Sequence, residues 1–197
     1  MKKEKLHLYT ADGWLNIEAI AALNCWLVVI IGKRQVGKTY GVLKYMHDHD
    51  RKYMYVRRTD DELKFISTND DFNPFLPLES AGYHLTIVKE GDHDYSIGDY
   101  DYTDKGRRYI TDKKAVGIDL LTMSKIRGFD GSAFTDIVYD EFIPVNMVIQ
   151  RKAEGEGIID GYTTVNGNRE LFNKPPLKLW LLANANNMKN PTIEELK

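Results

Sequence analysis

Short apolar runs separated by glycine, proline, asparagine and aspartate set the order of elements that this chain predicts. Residues 26–31 (WLVVII) are aliphatic and β-branched and read as a buried strand that breaks at Gly32. A second strand covers Tyr53–Arg57 (YMYVR) and stops at the paired Arg57 and Arg58. Residues 83–89, 95–102, 108–111 and 115–121 form short strands joined by polar turns. Together they predict a β-hairpin insertion or extension of the main sheet around residues 83–121. Residues 135–142 form an apolar strand ending in two acids, and residues 177–182 another that runs into Ala-Asn-Ala-Asn-Asn. Helical patterns fall on residues 16–23 (with Asp12 or Asn16 as the cap), 38–47 and 60–65. Residues 69–77, with Pro74 and Pro77, form a turn-rich loop. A helix over 158–171 would be a poor one, because Gly155, Gly157, Gly161 and Gly167 crowd that region. Residues 191–197 resemble the first turn of a helix, as though the sequence were a piece of a longer protein.

Composition adds limits. At 197 residues, 43% hydrophobic and 28% charged, the chain fits one globular domain. No apolar run approaches a membrane span, and the opening MKKEKLHLYT has no signal-like apolar stretch. The single cysteine, Cys25, excludes an internal disulfide framework and suits a reducing interior. A net charge of −2 exerts no global pull on nucleic acid, so any such surface must be local. Lys105, Arg107, Arg108, Lys113 and Lys114 are the main basic cluster, either a phosphate-backbone contact or a solvated surface. His47-Asp-His-Asp50 fits no standard metal spacing and reads as a solvated helix end. Asp92, Asp94, Asp99, Asp101 and Asp104 do not fit a calcium loop and read as exposed hairpin polarity.

The chemistry concentrates at strand ends. Residues 32–39 spell G-x-x-x-x-G-K-T, the P-loop pattern, between a strand and a helix. Gly32 and Gly37 let the backbone of Lys33, Arg34, Gln35 and Val36 curl so that successive N–H groups converge on phosphate oxygens. Lys38 supplies a cation for the β- and γ-phosphates, and the Thr39 hydroxyl a ligand for Mg²⁺. The following helix points its positive dipole end at the same place. Asp140, at the tip of an apolar strand, is the expected acid holding Mg²⁺, and Glu141 is the expected general base for an attacking water. Asn184, ending the last strand, either senses the γ-phosphate, holds Glu141 or caps the strand. Tyr9 or Trp14 is either a base-stacking aromatic or an ordinary packing residue. The combination predicts an α/β P-loop NTPase of the class with an added central strand and a catalytic glutamate (ASCE). Its mainly parallel sheet is flanked by helices, and the hundred-residue gap between the two motifs leaves room for the added strand. ATP with Mg²⁺ is the expected cofactor pair. No guanine-reading N-K-x-D occurs.

These residues give the chain a family likeness. G-K-R-Q-V-G-K-T at 32–39, Y-V-R-R at 55–58, R-R-Y-I-T-D at 107–112, I-V-Y-D-E-F-I at 137–143, N-R-E at 168–170 and L-A-N-A at 182–185 recur in order. The chain thus resembles the genome-packaging ATPases of small podophages, the phi-twenty-nine-like group, and more distantly the ATPase half of large terminases. The resemblance implies a homomeric ring, a pentamer, at the portal of an empty capsid in the host cytoplasm, driving double-stranded DNA inward, with a packaging RNA as a possible further partner. It implies that Arg57 holds Glu141 inactive until DNA is engaged, and that Asn184 couples hydrolysis to motion. It implies basic residues acting across the subunit interface, for which Lys125, Arg127 and Arg169 are the candidates, since Gly167 occupies the position of the family's arginine finger. Asp60 stands where relatives carry a basic residue. Family members continue into a nuclease-like domain. The competing functions are a helicase or remodelling ATPase on a similar core, and an assembly module that binds ATP with little turnover.

Overall fold

A computed structural model describes residues 7–123, 125, 131–143, 153–167, 169 and 172–185. Its strands are β1 (Leu27–Gly32), β2 (Tyr53–Arg57), β3 (Leu85–Lys89), β4 (Tyr95–Tyr102), β5 (Arg108–Asp119), β6 (Asp136–Asp140) and β7 (Lys178–Asn184). The helices are α1 (Ile17–Ala21), α2 (Lys38–Asp48), α3 (Asp60–Thr68), α4 (Leu120–Met123) and α5 (Ala153–Asn166). None is long and apolar enough to cross a membrane.

The seven strands form one mixed sheet in the order β1-β7-β6-β2-β5-β4-β3. The first five run parallel, and β5, β4 and β3 then pair antiparallel. Strict alternation in the central strands divides the core between two faces. Trp180 and Leu182 of β7, Val138 of β6 and Tyr53 and Tyr55 of β2 pack on the face carrying α1 and α2. Leu179, Leu181, Ile137, Tyr139, Met54 and Val56 pack on the opposite face with α4 and α5. A strand apolar on both sides gives a continuous hydrophobic run, which explains why these segments were legible.

Several boundaries differ from expectation, each for a physical reason. The run at 26–31 is not a strand covered on both faces. β1 pairs only with β7 among the described strands and exposes Val29 (44%), and Cys25 and Trp26 (42%) just before it are exposed. Residues 108–121 are not two strands. β5 is continuous because it belongs to two ladders at once, antiparallel to β4 and parallel to β2, and Leu120 and Leu121 begin α4. The expected hairpin extension is therefore a three-stranded meander welded to the parallel sheet through one shared strand. α1 is capped by Asn16, whose side chain accepts from Ala19 N at 3.1 Å. α3 is longer than expected, capped by Thr59. The glycine-rich helix begins earlier than expected, at Ala153, and its glycines have a use: a Cβ at Gly161 would lie 2.7 Å from Met123 Cγ, so glycine lets α5 approach α4. The expected helical turn at 191–197 lies outside the described residues.

The strand between the glycine-rich loop and the acids does not come from the hundred-residue gap. That gap supplies β2 to β5 on the far side of β6, and the strand between β1 and β6 is β7, contributed by residues after the acids. Its consequence is positional, because β7 delivers Asn184 beside Gly32.

Candidate functional site

Parallel strands end together, so β1, β7, β6 and β2 bring Gly32, Asn184, Asp140 and Arg57 to one rim of the sheet. A cleft of about 540 Å³ opens there, lined by Lys38, Thr39, Asp140, Glu141 and Asn184 among others. Every member of that set was predicted from sequence.

The loop at 32–39 turns through two left-handed residues, Gln35 (φ 63°) and Gly37 (φ 78°). A left-handed residue among right-handed neighbours aims consecutive N–H groups into one concavity, a cradle for an anion. Gly37 is constrained twice, since a Cβ there would also lie 2.7 Å from Trp14 Cε3. The Trp14 ring thus packs directly on the loop. It borders both the main cleft and a neighbouring cavity of about 660 Å³ that includes Tyr40, Tyr45 and Glu18.

Lys38 is buried, and its Nζ donates to Gly32 O (3.1 Å), Lys33 O (2.6 Å) and Asn184 Oδ1 (3.1 Å). Burial lowers its pKa against the raising influence of Asp140 and Glu141. Asn184, one of whose expected roles was to hold Glu141, is bonded to Lys38 instead. Thr39 Oγ1 donates to Asp140 Oδ1 at 2.9 Å, and Tyr55 Oη donates to Asp140 Oδ2 at 2.9 Å. Burial raises the Asp140 pKa, with Arg57 opposing and Glu141 reinforcing the rise. A hydroxyl and a carboxylate side by side are hard oxygen donors, the set that Mg²⁺ prefers.

Arg57 is the hub. Its guanidinium donates to Glu141 Oε2 at 2.8 Å, lies 3.5 Å from Asp140 Oδ2 and donates to Glu62 Oε2 at 3.3 Å. Burial works against its charge, but Tyr55, Asp140, Glu141 and Glu62 together hold its pKa above the ordinary arginine value. Strand alternation would have turned Glu141 away from Asp140. The strand stops at Asp140 instead, and Glu141 takes a left-handed φ of 53°, with its N–H donating to Asp140 Oδ1 at 3.1 Å. That conformation costs a non-glycine residue about 1–2 kcal/mol. It places the carboxylate, 42% exposed, in the cleft.

The other candidates fall elsewhere. Arg169 is buried at the amino-terminal end of the strands, where Nε donates to Pro175 O (2.8 Å) and Nη1 to Phe134 O (2.7 Å). In this conformation its guanidinium staples its own chain and is not presented outward. Lys125 is exposed just past α4, and Arg127 lies outside the described residues. In the basic cluster, Arg108 forks onto Asp70 (2.5 and 2.7 Å) and Lys114 pairs with Asp112 (2.5 Å). His47 and His49 do not converge; one meets Tyr53 and the other Glu18. Sequence reasoning missed Tyr55 as a site residue, although Tyr55 and Arg57 are two apart on one strand and so share a face.

Neither a protein-family model nor a curated protein sequence matches the chain. Solved structures do. The crystal structure of the N-terminal domain of the DNA packaging ATPase from bacteriophage phi29 superposes with a TM-score of 0.61 at 22% identity, over 93% of this chain and 85% of that one. The fold is that of a phage DNA-packaging ATPase domain. The bacteriophage Phi-29 viral genome packaging motor assembly gives 0.65 at 21% identity, and the Phi-28 gp11 DNA packaging motor 0.58 at 16%. The chain covers 51% and 50% of those longer chains, with 93% and 88% of itself matched.

Proposed function

We propose that this chain is the ATP-hydrolysing domain of a viral genome-packaging motor, a P-loop ATPase of the ASCE class. The observation that carries the proposal is Arg57, which bridges Glu141 and Asp140, two acids that line the same cleft as Lys38 and Thr39. A purely structural glycine-rich turn has no need for two acids, an arginine and a strained glutamate at the same rim.

ATP would lie with its phosphates in the cradle of Gly32–Thr39 residues, the ammonium of Lys38 leaving its carbonyl partners for phosphate oxygens. Mg²⁺, held by Thr39 and Asp140, would neutralise charge on the β- and γ-phosphates. The Trp14 ring, packed on Gly37 and lining the cleft, would border the nucleotide. Glu141 takes the proton of the attacking water, and can do so only when its carboxylate is free of Arg57. The ion pair is therefore the gate, and engagement of double-stranded DNA is its trigger. The similarity to motor assemblies supports a homomeric ring acting at a capsid portal, with DNA as cargo.

The test is steady-state ATPase measurement on the protein, with DNA and empty capsids added in a second series. Lys38→Ala loses nucleotide binding. Glu141→Gln binds ATP as tightly as wild type but turns it over at least ~10²-fold more slowly. A Glu141→Gln variant that hydrolysed normally would remove the base assignment, and a wild type that bound ATP without turnover would make the chain an assembly module.

A further inference from the structure

A second cluster of ligand-type side chains lies past the carboxyl ends of β2 and β5, outside the cleft. Asp60 opens α3, Asp119 closes β5, and His93 sits in the turn between β3 and β4. One ligand atom from each lies within 4.8 Å of the other two. His93 Nδ1 is 3.6 Å from Asp60 Oδ1 and 3.9 Å from Asp119 Oδ2. Around a tetrahedral ion with bonds of about 2.0–2.1 Å, donors stand ~3.3 Å apart, so both separations are near ligating geometry.

The observation that points to an occupant is at Asp119. Its side chain is 6% exposed, and Oδ2 is buried with no hydrogen-bond partner. An orphaned buried carboxylate oxygen is costly, because it forfeits the hydrogen bonds that water would give it. Its twin, Oδ1, accepts from Thr122 N at 3.0 Å, which caps α4 and fixes the carboxylate with Oδ2 turned toward His93. Asp60 is likewise pre-oriented. Tyr95 Oη donates to Oδ1 at 2.9 Å and Lys89 Nζ to Oδ2 at 3.2 Å. Carboxylates held by outer partners while an imidazole faces them are what a metal centre requires around its ligands.

We propose that Asp60, His93 and Asp119 bind one divalent transition-metal ion of the borderline class, for which Zn²⁺ is the probe. One imidazole nitrogen with two carboxylate oxygens suits Zn²⁺, whereas Mg²⁺ demands octahedral oxygen. The ion ties the start of α3, the β3–β4 turn and the end of β5 into one joint. That joint adjoins the cleft's acids, because Glu62, in the first turn of α3, accepts from Arg57, which also pairs with Glu141.

The deciding experiment is competition of Zn²⁺ between the protein and a chromophoric chelator in excess Mg²⁺, with thermal unfolding followed in parallel. One Zn²⁺ binds per chain and raises the unfolding temperature. His93→Ala weakens binding at least ~10-fold and abolishes the rise in unfolding temperature. His93 is 61% exposed, so this variant folds even if Asp119→Asn does not. His49→Ala, which removes the exposed His49–Glu18 contact, leaves Zn²⁺ affinity unchanged. Absence of stoichiometric binding, or unchanged affinity in His93→Ala, overturns the assignment.

Discussion

The two halves of the sheet are built from similar residues and do different things with them. In the parallel half, strand ends coincide, so Gly32, Asn184, Asp140 and Arg57 fall in one row. In the antiparallel half, β4 runs against its neighbours, so polar strand ends alternate between rims. The charged groups there pair locally on the surface, as Lys114 does with Asp112 and Asp99, and Arg108 with Asp70. β5, shared between both halves, ends in the same row with Asp119, and β3, antiparallel to β4 and so parallel to β5, ends at that rim with Lys89. A rim that gathers a candidate site thus follows from strand direction, and charge content alone does not make one.

The sharpest way to break the comparison is to remove one cation from each half. Arg57 is buried among Asp140, Glu141 and Glu62. Arg57→Ala leaves Asp140 buried without its counter-charge, and unfolding free energy falls by about 3 kcal/mol. Lys114→Ala removes an exposed pair and costs less than about 1 kcal/mol. Denaturant melts of the two variants measure both. Equal losses would mean that the buried rim is no more cooperative than the surface, and the gate built on Arg57 would lose its physical basis.

Much of the rim could be read from the chain because its residues sit at or just past the ends of apolar strands, where a hydrophobic run and an abrupt polar stop are unmistakable. The structure brings Lys38, Thr39, Asp140, Glu141, Arg57 and Asn184 together at one end of the sheet. What could not be read was tertiary. Strand order decided that β7 would separate β1 from β6 and that Asn184 would meet Lys38, and no local pattern records order. The left-handed turn at Glu141 was invisible because glutamate gives no signal for positive φ, unlike Gly37. The edge position of β1 was hidden because its sequence is as apolar as that of a central strand. Arg169 was assigned from its place beside Gly167, yet its bonds to Pro175 and Phe134 depend on segments distant in sequence.

His47 couples the two halves, and pH tests the coupling. It lies near the end of α2, the helix that starts at Lys38, and its ring meets Tyr53 Oη at 3.0 Å and stands 5.6 Å from the Tyr83 ring. Burial lowers its pKa from 6.5 to about 4. The unfolded chain therefore takes up a proton that the folded chain refuses. The stabilisation is fully present above pH 6.5 and is lost as pH falls toward 4, by about 3 kcal/mol at most. Thermal melts across that window should show the loss in wild type and a flatter profile in His47→Gln. A variant with the wild-type slope would assign acid sensitivity to other groups.

The last effect belongs to the meander alone. A Cβ on Gly98 would lie 1.9 Å from Asp112 O, at the register shift between β4 and β5, so the ladder closes only because that position is bare. Gly98→Ala forces those strands apart and destabilises the protein by about 1–3 kcal/mol. ATP affinity should hardly change, since β4 contributes nothing to the cleft and β5 reaches its rim only at Asp119. If Gly98→Ala weakened nucleotide binding in proportion to stability, the two halves would be one cooperative unit, and strand direction would divide the chemistry of the sheet without dividing its mechanics.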